Sequence, residues 1–298
     1  MRIVSLVPHA TELLFALGLG DQVVGVTHEC DHPTAARSLP HVTTDVLPPG
    51  LTAAEIDREV KQRTQRGEAI YELDEQAVAE LAPDLIVTQQ LCPVCAVSYD
   101  EVRDLAGRLP SCPEVVALDP KTFGETIGDA RTIAQLTDSR DAALDLVTRT
   151  RARVDAVRRT LRQADRAPVA VLAVEWFDPL YVAGHWTPQL IEYAGGFDVL
   201  GMPGERSEQA TWDVASAAAP EVVIAMPCGY DAATAYREAE MHADELRATG
   251  ARRVVAVDAS AYFSRPGPRL IDGLELLAHV LHPDLFAEPP AEALELPL

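Results

Sequence analysis

The sequence predicts an α/β protein of two similar lobes joined by a single long helix. Three observations carry that reading. Short apolar runs alternate with helix-period stretches along the chain, the pattern of strands and helices in turn. Three segments recur in the same order in both halves: VPHATELLFALGLGDQVVGV with AGHWTPQLIEYAGGFDVLGM, LDEQAVAELAPDLIVTQ with TWDVASAAAPEVVIAMP, and CPEVVALDP with ARRVVAVDAS; this is the signature of a duplicated unit. Finally, the stretch from Asp138 to Ala164 carries Leu144, Val147, Val154, Val157 and Leu161 as one apolar stripe, with no Gly or Pro inside it,. About 25 residues at ~1.5 Å each make a beam of roughly 37 Å. The predicted divisions are an N-terminal lobe over residues 1–124, a helical connector over 125–167 and a C-terminal lobe over 168–298.

The elements follow in order. Arg2 to Val7 reads as a strand, Thr11 to Leu19 as a helix ended by Gly18 and Gly20, and Val23 to Val26 as a strand,. Thr52 with Glu55 makes a capping box that opens a helix to about Arg66,. Asp74 to Leu81 is helical and stopped by Pro83; Asp84 to Thr88 is a strand. The LCPVC segment heads a helix reaching about Leu109, and Val115 to Leu118 is a strand. Thr122 to Leu136 leads into the long helix, which Pro168 bounds. Strands at Val169 to Glu175 and Leu180 to Val182 precede a helix that GHWTP opens and that ends at Ala194. Thr211 to Ala218 is helical, Val222 to Ala225 a strand, Ala235 to Thr249 a helix, Val254 to Val257 a strand, and Pro268 to Leu281 an amphipathic helix. The acidic, Pro-containing tail from Ala287 is expected to fray.

Composition narrows the function. The chain of 298 residues is 48% hydrophobic, and its 25 basic against 46 acidic residues give a net charge of -21. A field of that sign repels phosphate backbones and anionic lipid, which argues against nucleic acid or membrane surfaces as partners. Pro8, His9, Thr11 and Glu12 interrupt the N-terminal apolar run and no small-residue cleavage site follows, so a cytoplasmic location is expected,. The five cysteines, an odd number, then read as thiols or ligands and not as a disulfide framework,.

In open α/β sheets the ligand crevice lies beyond the carboxyl ends of the strands. Those ends carry two constellations. Trp176, Phe177, Trp186, Tyr262 and Phe263 concentrate aromatic surface in the second half, although aromatics make only 5% of the chain. A buried ring covers about 150 to 250 Å², enough for a few to hold a flat, partly apolar ligand. The other constellation is THECDHP with CPVC. In an extended loop His28, Cys30 and His32 share one face while Glu29 and Asp31 take the other. Cys92 and Cys95 stand at a spacing that lets both sulfurs reach one ion. These five residues suit zinc or an iron centre; a redox pair with Cys92 at a helix cap and buried inert thiols are the alternatives. His9 and His185 hold matched positions in the two repeats. Glu175, Asp178 and Glu205 can pair for acid-base work, though their spacing does not require it. No Ser-His-Asp set, Walker loop or dinucleotide turn is present, so binding is favoured over catalysis.

The opening SLVPHATELLFALGLGDQVVGVT, the segments AELAPDLIV and AGGFDVL, and the closing SRPGPRLIDGLELLAHVLHP resemble the helical-backbone (class III) periplasmic binding proteins. The nearest members are those that bind cobalamin for an uptake transporter. The resemblance covers nearly the whole chain. It implies two Rossmann-like lobes, an interlobe helix, and a corrinoid or related tetrapyrrole metal chelate in the cleft. The residues read above near the strand ends and at matched repeat positions, Trp176, Phe177, Trp186, Tyr262, Phe263, His9, His185 and Glu29, are its candidate contacts. His185 can offer an axial ligand to cobalt or heme iron, with packing at a cap or loop the favoured alternative. Family members dock on a permease through an acidic residue on each lobe. Here the matching positions are Gln76 and Asp213, with Glu75 adjacent, so permease docking is doubtful. The expected protein is a cytoplasmic binding protein for a small-molecule chelate; the alternative is a metalloprotein in which His28, Cys30, His32, Cys92 and Cys95 serve sensing or catalysis.

Overall fold

A computed structural model describes residues 1–90 and 97–297 of the chain. Two compact units emerge, Met1–Pro120 with Ile127–Val147, and Lys121–Thr126 with Thr148–Leu298. No described helix is long and apolar enough to cross a membrane.

The first unit contains β1 (Ile3–Ser5), α1 (Pro8–Ala16), β2 (Val23–Gly25), β3 (Thr43–Asp45), α2 (Ala53–Gln65), β4 (Tyr71–Leu73), α3 (Glu75–Leu81), β5 (Leu85–Thr88), α4 (Tyr99–Arg108) and β6 (Glu114–Ala117). It also takes most of α5 (Phe123–Thr137) and the start of α6 (Arg140–Ala164). Its main sheet is parallel, in the order β2-β1-β5-β6. The pleat sends Ile3, Leu85 and Val87 into one core cluster with α1, α5 and α6, and Val4 and Ile86 into another with α3 and α4,. Burial on both faces explains why these strands read as unbroken apolar runs.

Local chemistry sets the helix ends. α1 begins three residues before the predicted Thr11, because Pro8 suits the first helical turn, where a missing N–H costs nothing,. At α2 the Thr52 side chain accepts from the Glu55 N–H and the Glu55 carboxylate accepts from the Thr52 N–H, as the capping box predicts. Asp74 caps α3 by accepting from the Ala77 N–H at 2.9 Å.

The second unit contains β7 (Val169–Phe177), β8 (Leu180–Val182), α7 (Thr187–Tyr193), β9 (Gly196–Asp198), β10 (Glu208–Gln209), α8 (Trp212–Ala217) and β11 (Val222–Ala225). It continues with α9 (Ala232–Met241), α10 (Ala243–Ala248), β12 (Arg253–Val257), α11 (Ala259–Tyr262), α12 (Leu270–Leu281) and β13 (Ala293–Leu296). Its parallel core runs β9-β7-β11-β12, the same connectivity as β2-β1-β5-β6. The sequence repeat is therefore a repeat of strand order. β8, β10 and β13 extend the sheet in antiparallel fashion.

Two elements depart from expectation. The predicted helix from Ala235 to Thr249 is broken at His242, whose ring stacks on Phe177 and Trp212. The tail does not fray throughout: β13 pairs with β12, Leu296 is only 4% exposed, and Glu295 accepts two hydrogen bonds from Arg253 at 2.9 and 3.0 Å. The alternation in ALEL was the overlooked signal.

In α6, Ala143 and Val147 enter the first unit's core, whereas Leu144 is 67% exposed. Further along, Val154 and Val157 are buried, and Arg153 donates to Glu275 at 2.8 and 2.7 Å and to Asp272 at 2.6 Å on α12. The three side chains are 31 to 38% exposed, so solvent screening limits their value. Arg153→Ala is expected to lower stability by about 1 kcal/mol in urea melts, and Arg153→Lys to recover only part of it because the fork is lost.

Candidate functional site

Because β7, β11 and β12 run parallel, their carboxyl ends share one edge of the second unit's sheet. Backbone bonds knit the loops there. The Cys228 N–H donates to the Glu175 carbonyl at 3.0 Å, the Ser260 N–H to the Tyr230 carbonyl at 3.1 Å, and the Gly229 N–H to the Ser264 hydroxyl at 3.3 Å. On this frame the Trp176 ring lies 5.7 Å from that of Tyr230, tilted by 55°. Arg269 sits over Tyr262 at 5.8 Å. Trp176, Tyr230 and Tyr262 all keep part of their surface exposed. The Trp176 indole Nε1 is enclosed and has no hydrogen-bond partner among the described residues.

The other predicted aromatics are placed differently. Phe177 is 1% exposed and stacks on His242 at 5.1 Å and Trp212 at 6.0 Å, within the core cluster. Trp186, expected in an open loop, is 6% exposed and donates its indole N–H to the Phe263 carbonyl at 2.7 Å. Phe263 itself is 3% exposed. In each case a partner distant in sequence claims the ring, which an inspection of local pattern does not reveal. His185 is partly exposed at a left-handed backbone position (φ 52), with its ring 5.4 Å from Trp186. Burial, then the charges of Arg206 and Lys121, hold its pKa below the usual histidine value.

Behind this edge lies a carboxyl pair. Glu175, on β7, accepts from the Ser207 hydroxyl at 2.5 Å and from the backbone of Gly184. Asp198, on β9, accepts from the Gly201 and Leu200 N–H groups at 2.7 and 3.0 Å through Oδ1, while Oδ2 is enclosed without a hydrogen-bond partner among the described residues. Burial dominates both titrations: Glu175 is pushed up to about 7, with the Asp198 charge adding to the rise, and Asp198 to about 6,. Of the acids weighed in the sequence, Asp178 and Glu205 are exposed and Glu175 alone joins this pair. Asp198 was missed; it holds the place of Gln22 in the first repeat copy, and an acid inside a strand was the available sign.

In the first unit the THECDHP loop turns instead of extending: the Cys30 N–H donates to the Thr27 carbonyl at 3.1 Å. The Cys30 thiol is buried, 3.1 Å from both the Thr11 and Thr27 hydroxyls. The His28 Nδ1 meets the Thr43 hydroxyl at 2.8 Å, and the His28 ring lies 5.3 Å from Tyr71. Tyr71 donates to Glu29 at 3.2 Å, a pairing that sequence reasoning did not anticipate. His9 is buried and His32 exposed. The turn thus separates His28, Cys30 and His32, and Cys92 and Cys95 lie outside the described residues. Among the described residues no group of three or more His, Cys, Asp or Glu side chains is arranged to hold a metal ion.

Comparison with known proteins adds four findings. A family model described as "periplasmic binding protein" matches residues 3–260. The vitamin B12-binding protein of Vibrio cholerae serotype O1 is 24% identical over 287 residues, covering 92% of this chain and 86% of that protein. An uncharacterized ABC transporter substrate-binding lipoprotein of Bacillus subtilis, YvrC, is 25% identical over 96% of this chain and 82% of its own length. Among solved structures, a periplasmic heme binding protein from Pseudomonas aeruginosa superposes with a TM-score of 0.71 at 20% identity, over 98% of this chain and 94% of that one.

Proposed function

Since the chain belongs to the periplasmic binding protein family, we propose that it binds a planar metal chelate of the corrinoid or tetrapyrrole class and catalyses no reaction on it. The observation that carries this reading is the aromatic edge of the second unit, where Trp176 against Tyr230 and the nearby Tyr262 offer partly exposed rings at the carboxyl ends of the strands. A ring of about 150 to 250 Å² at about 25 cal/mol per Å² contributes at most roughly 4 to 6 kcal/mol. Two or three such rings offset an association cost of roughly 4 to 15 kcal/mol. Cobalamin is the first ligand to test, because the Vibrio cholerae relative that spans 92% of the chain is a vitamin B12-binding protein. Heme is the second, on the strength of the Pseudomonas aeruginosa structure.

The test is a titration of the purified protein with cobalamin and with hemin, followed by ligand absorbance and tryptophan quenching. Saturable binding tighter than about 100 μM is expected for at least one of them. Trp176→Ala is expected to weaken it about tenfold, and Trp176→Phe, which keeps an aromatic face against Tyr230, to recover part of the loss,. Absence of saturable binding for both chelates sinks the reading.

Permease docking, which the substrate-binding relative from Bacillus subtilis favours, finds uneven support at the two docking positions. Glu75, the acid adjacent to Gln76, is already held by Arg108 at 3.0 and 2.6 Å, and the Gln76 side chain donates to Glu80. Asp213, at the start of α8, is exposed and takes part in no ion pair among the described residues.

A further inference from the structure

We infer that His185, Arg206 and Lys121 form a seat for an anionic oxygen group of the ligand, a carboxylate or a phosphate. The inference deepens the chelate reading above and rests on it. Three loops of the second unit bring the residues together. The His185 N–H donates to the Glu205 carbonyl at 2.5 Å, and the Gly204 N–H donates back to the His185 carbonyl at 2.8 Å. A side chain built on Gly204 would meet the Thr122 methyl at 3.5 Å, so the Lys121–Thr122 segment lies against the same turn. The turn cannot drift, because Gly184 packs directly on the backbone of residues 205–207.

Charge makes this placement informative. The chain holds 25 basic residues against 46 acidic ones, so a basic side chain finds carboxylates easily. Arg108, Arg153, Arg166 and Arg253 all do. Arg206 and Lys121 have no ion-pair partner among the described residues, and both are close enough to His185 to act on it by charge. The adjacent Glu205 is exposed and enters the turn through its carbonyl. Gathering unpaired cations costs free energy that an incoming anion returns. His185 also occupies a left-handed conformation unfavourable for a residue with a Cβ, held there by the two backbone bonds; strain of this kind collects at sites of ligand contact. The imidazole of His185 lies 5.4 Å from the Trp186 ring, whose indole donates to the carbonyl of Phe263, the residue that follows Tyr262 of the aromatic edge.

The experiment compares chelates that bear an anionic arm, the charged members, with counterparts that lack that anion, the uncharged members. Cobalamin is set against cobinamide, which lacks the phosphate-bearing arm, and hemin against its dimethyl ester, which lacks free carboxylates. Each is titrated into the wild type and an Arg206→Gln, Lys121→Gln double variant. Both positions are exposed, so the variant is expected to melt as the wild type does. The expected result is a preference of about tenfold for the charged member of one pair, shrinking at high salt and vanishing in the double variant, with affinity for the uncharged member unchanged. The pair that shows the preference identifies phosphate or carboxylate as the anion. Equal affinities within both pairs, or a preference that survives in the double variant, overturns the seat while leaving the chelate reading intact. If the uncharged members and their charged counterparts alike fail to bind, both inferences fall.

Discussion

Stability is expected to fall as pH rises from about 4.5 to about 7, the range over which Glu175 is protonated in the folded chain but ionised in the unfolded one,. The direction follows from proton counting. The folded-state pKa is raised, so the native state binds more protons in that window, and each step upward in pH favours the unfolded chain. The stabilisation is fully present below the unfolded value and gone above the folded one. A rise from 4.5 to about 7 corresponds to roughly 3 kcal/mol,. Asp198 moves in the same direction, from 3.8 to about 6, chiefly through burial, and adds to the same trend at the lower end of the range,. About 2 kcal/mol of the Glu175 contribution remains at pH 5.5, one unit above the unfolded value, and for a protein of this size each kcal/mol shifts the midpoint by about 2 to 4 °C, so a melt at pH 8 should lie roughly 4 to 8 °C below one at pH 5.5,. Other groups titrate in the same range, so the decisive measurement is a difference. Glu175→Gln, which can still accept from Ser207, should flatten the profile and stabilise the chain at pH 8 by roughly 2 to 3 kcal/mol. Superimposable pH profiles for the two proteins would refute the assignment.

That pair also shows where the sequence stops being legible. The capping box at Thr52 and Glu55 and the strand at Val222–Ala225 were readable because each is written in a few adjacent residues. The matching strand orders of the two units were readable because a duplicated sequence pairs its strands in a duplicated way. Side-chain destinations were not. Phe177 and Trp186 look like candidates for an open site until His242 and Phe263, far along the chain, are seen to claim them. The Cys30 thiol, plausible as a ligand in an extended loop, is drawn between Thr11 and Thr27 by a turn that no periodicity announces. The Asp198 charge reaches Glu175 because β8 and β9 both pair with β7 on the side away from β11. Contacts of this kind depend on register between strands, and register is a property of the assembled sheet.

Gly184→Ala is expected to be among the most damaging single substitutions in the second unit. An alanine Cβ there would lie 2.4 Å from the Ser207 N, 2.5 Å from the Arg206 carbonyl carbon and 2.6 Å from the Glu205 carbonyl oxygen. All three are backbone atoms, so no side-chain rotation relieves the overlap and the 205–207 segment must move. Overpacking of this sort costs about 1 to 3 kcal/mol. Displacement also removes the Ser207 hydroxyl from Glu175, leaving a buried carboxyl without its donor at a further cost of about 1 to 3 kcal/mol,. A loss of about 3 kcal/mol or more in urea melts is therefore expected. Gly128→Ala supplies the control, since its Cβ would meet nothing within 4 Å inside α5; that change should stabilise by about 0.5 to 1 kcal/mol through helix propensity. A Gly184→Ala protein as stable as the wild type would mean that the 205–207 segment is not pinned. The same displacement carries Arg206 away from His185, so any protein that survives the substitution should also lose its preference for chelates bearing an anionic arm. Stability and ligand preference then fail together at a position that touches no ligand, because one glycine sets the distance between the loop that carries His185 and the loop that carries Arg206.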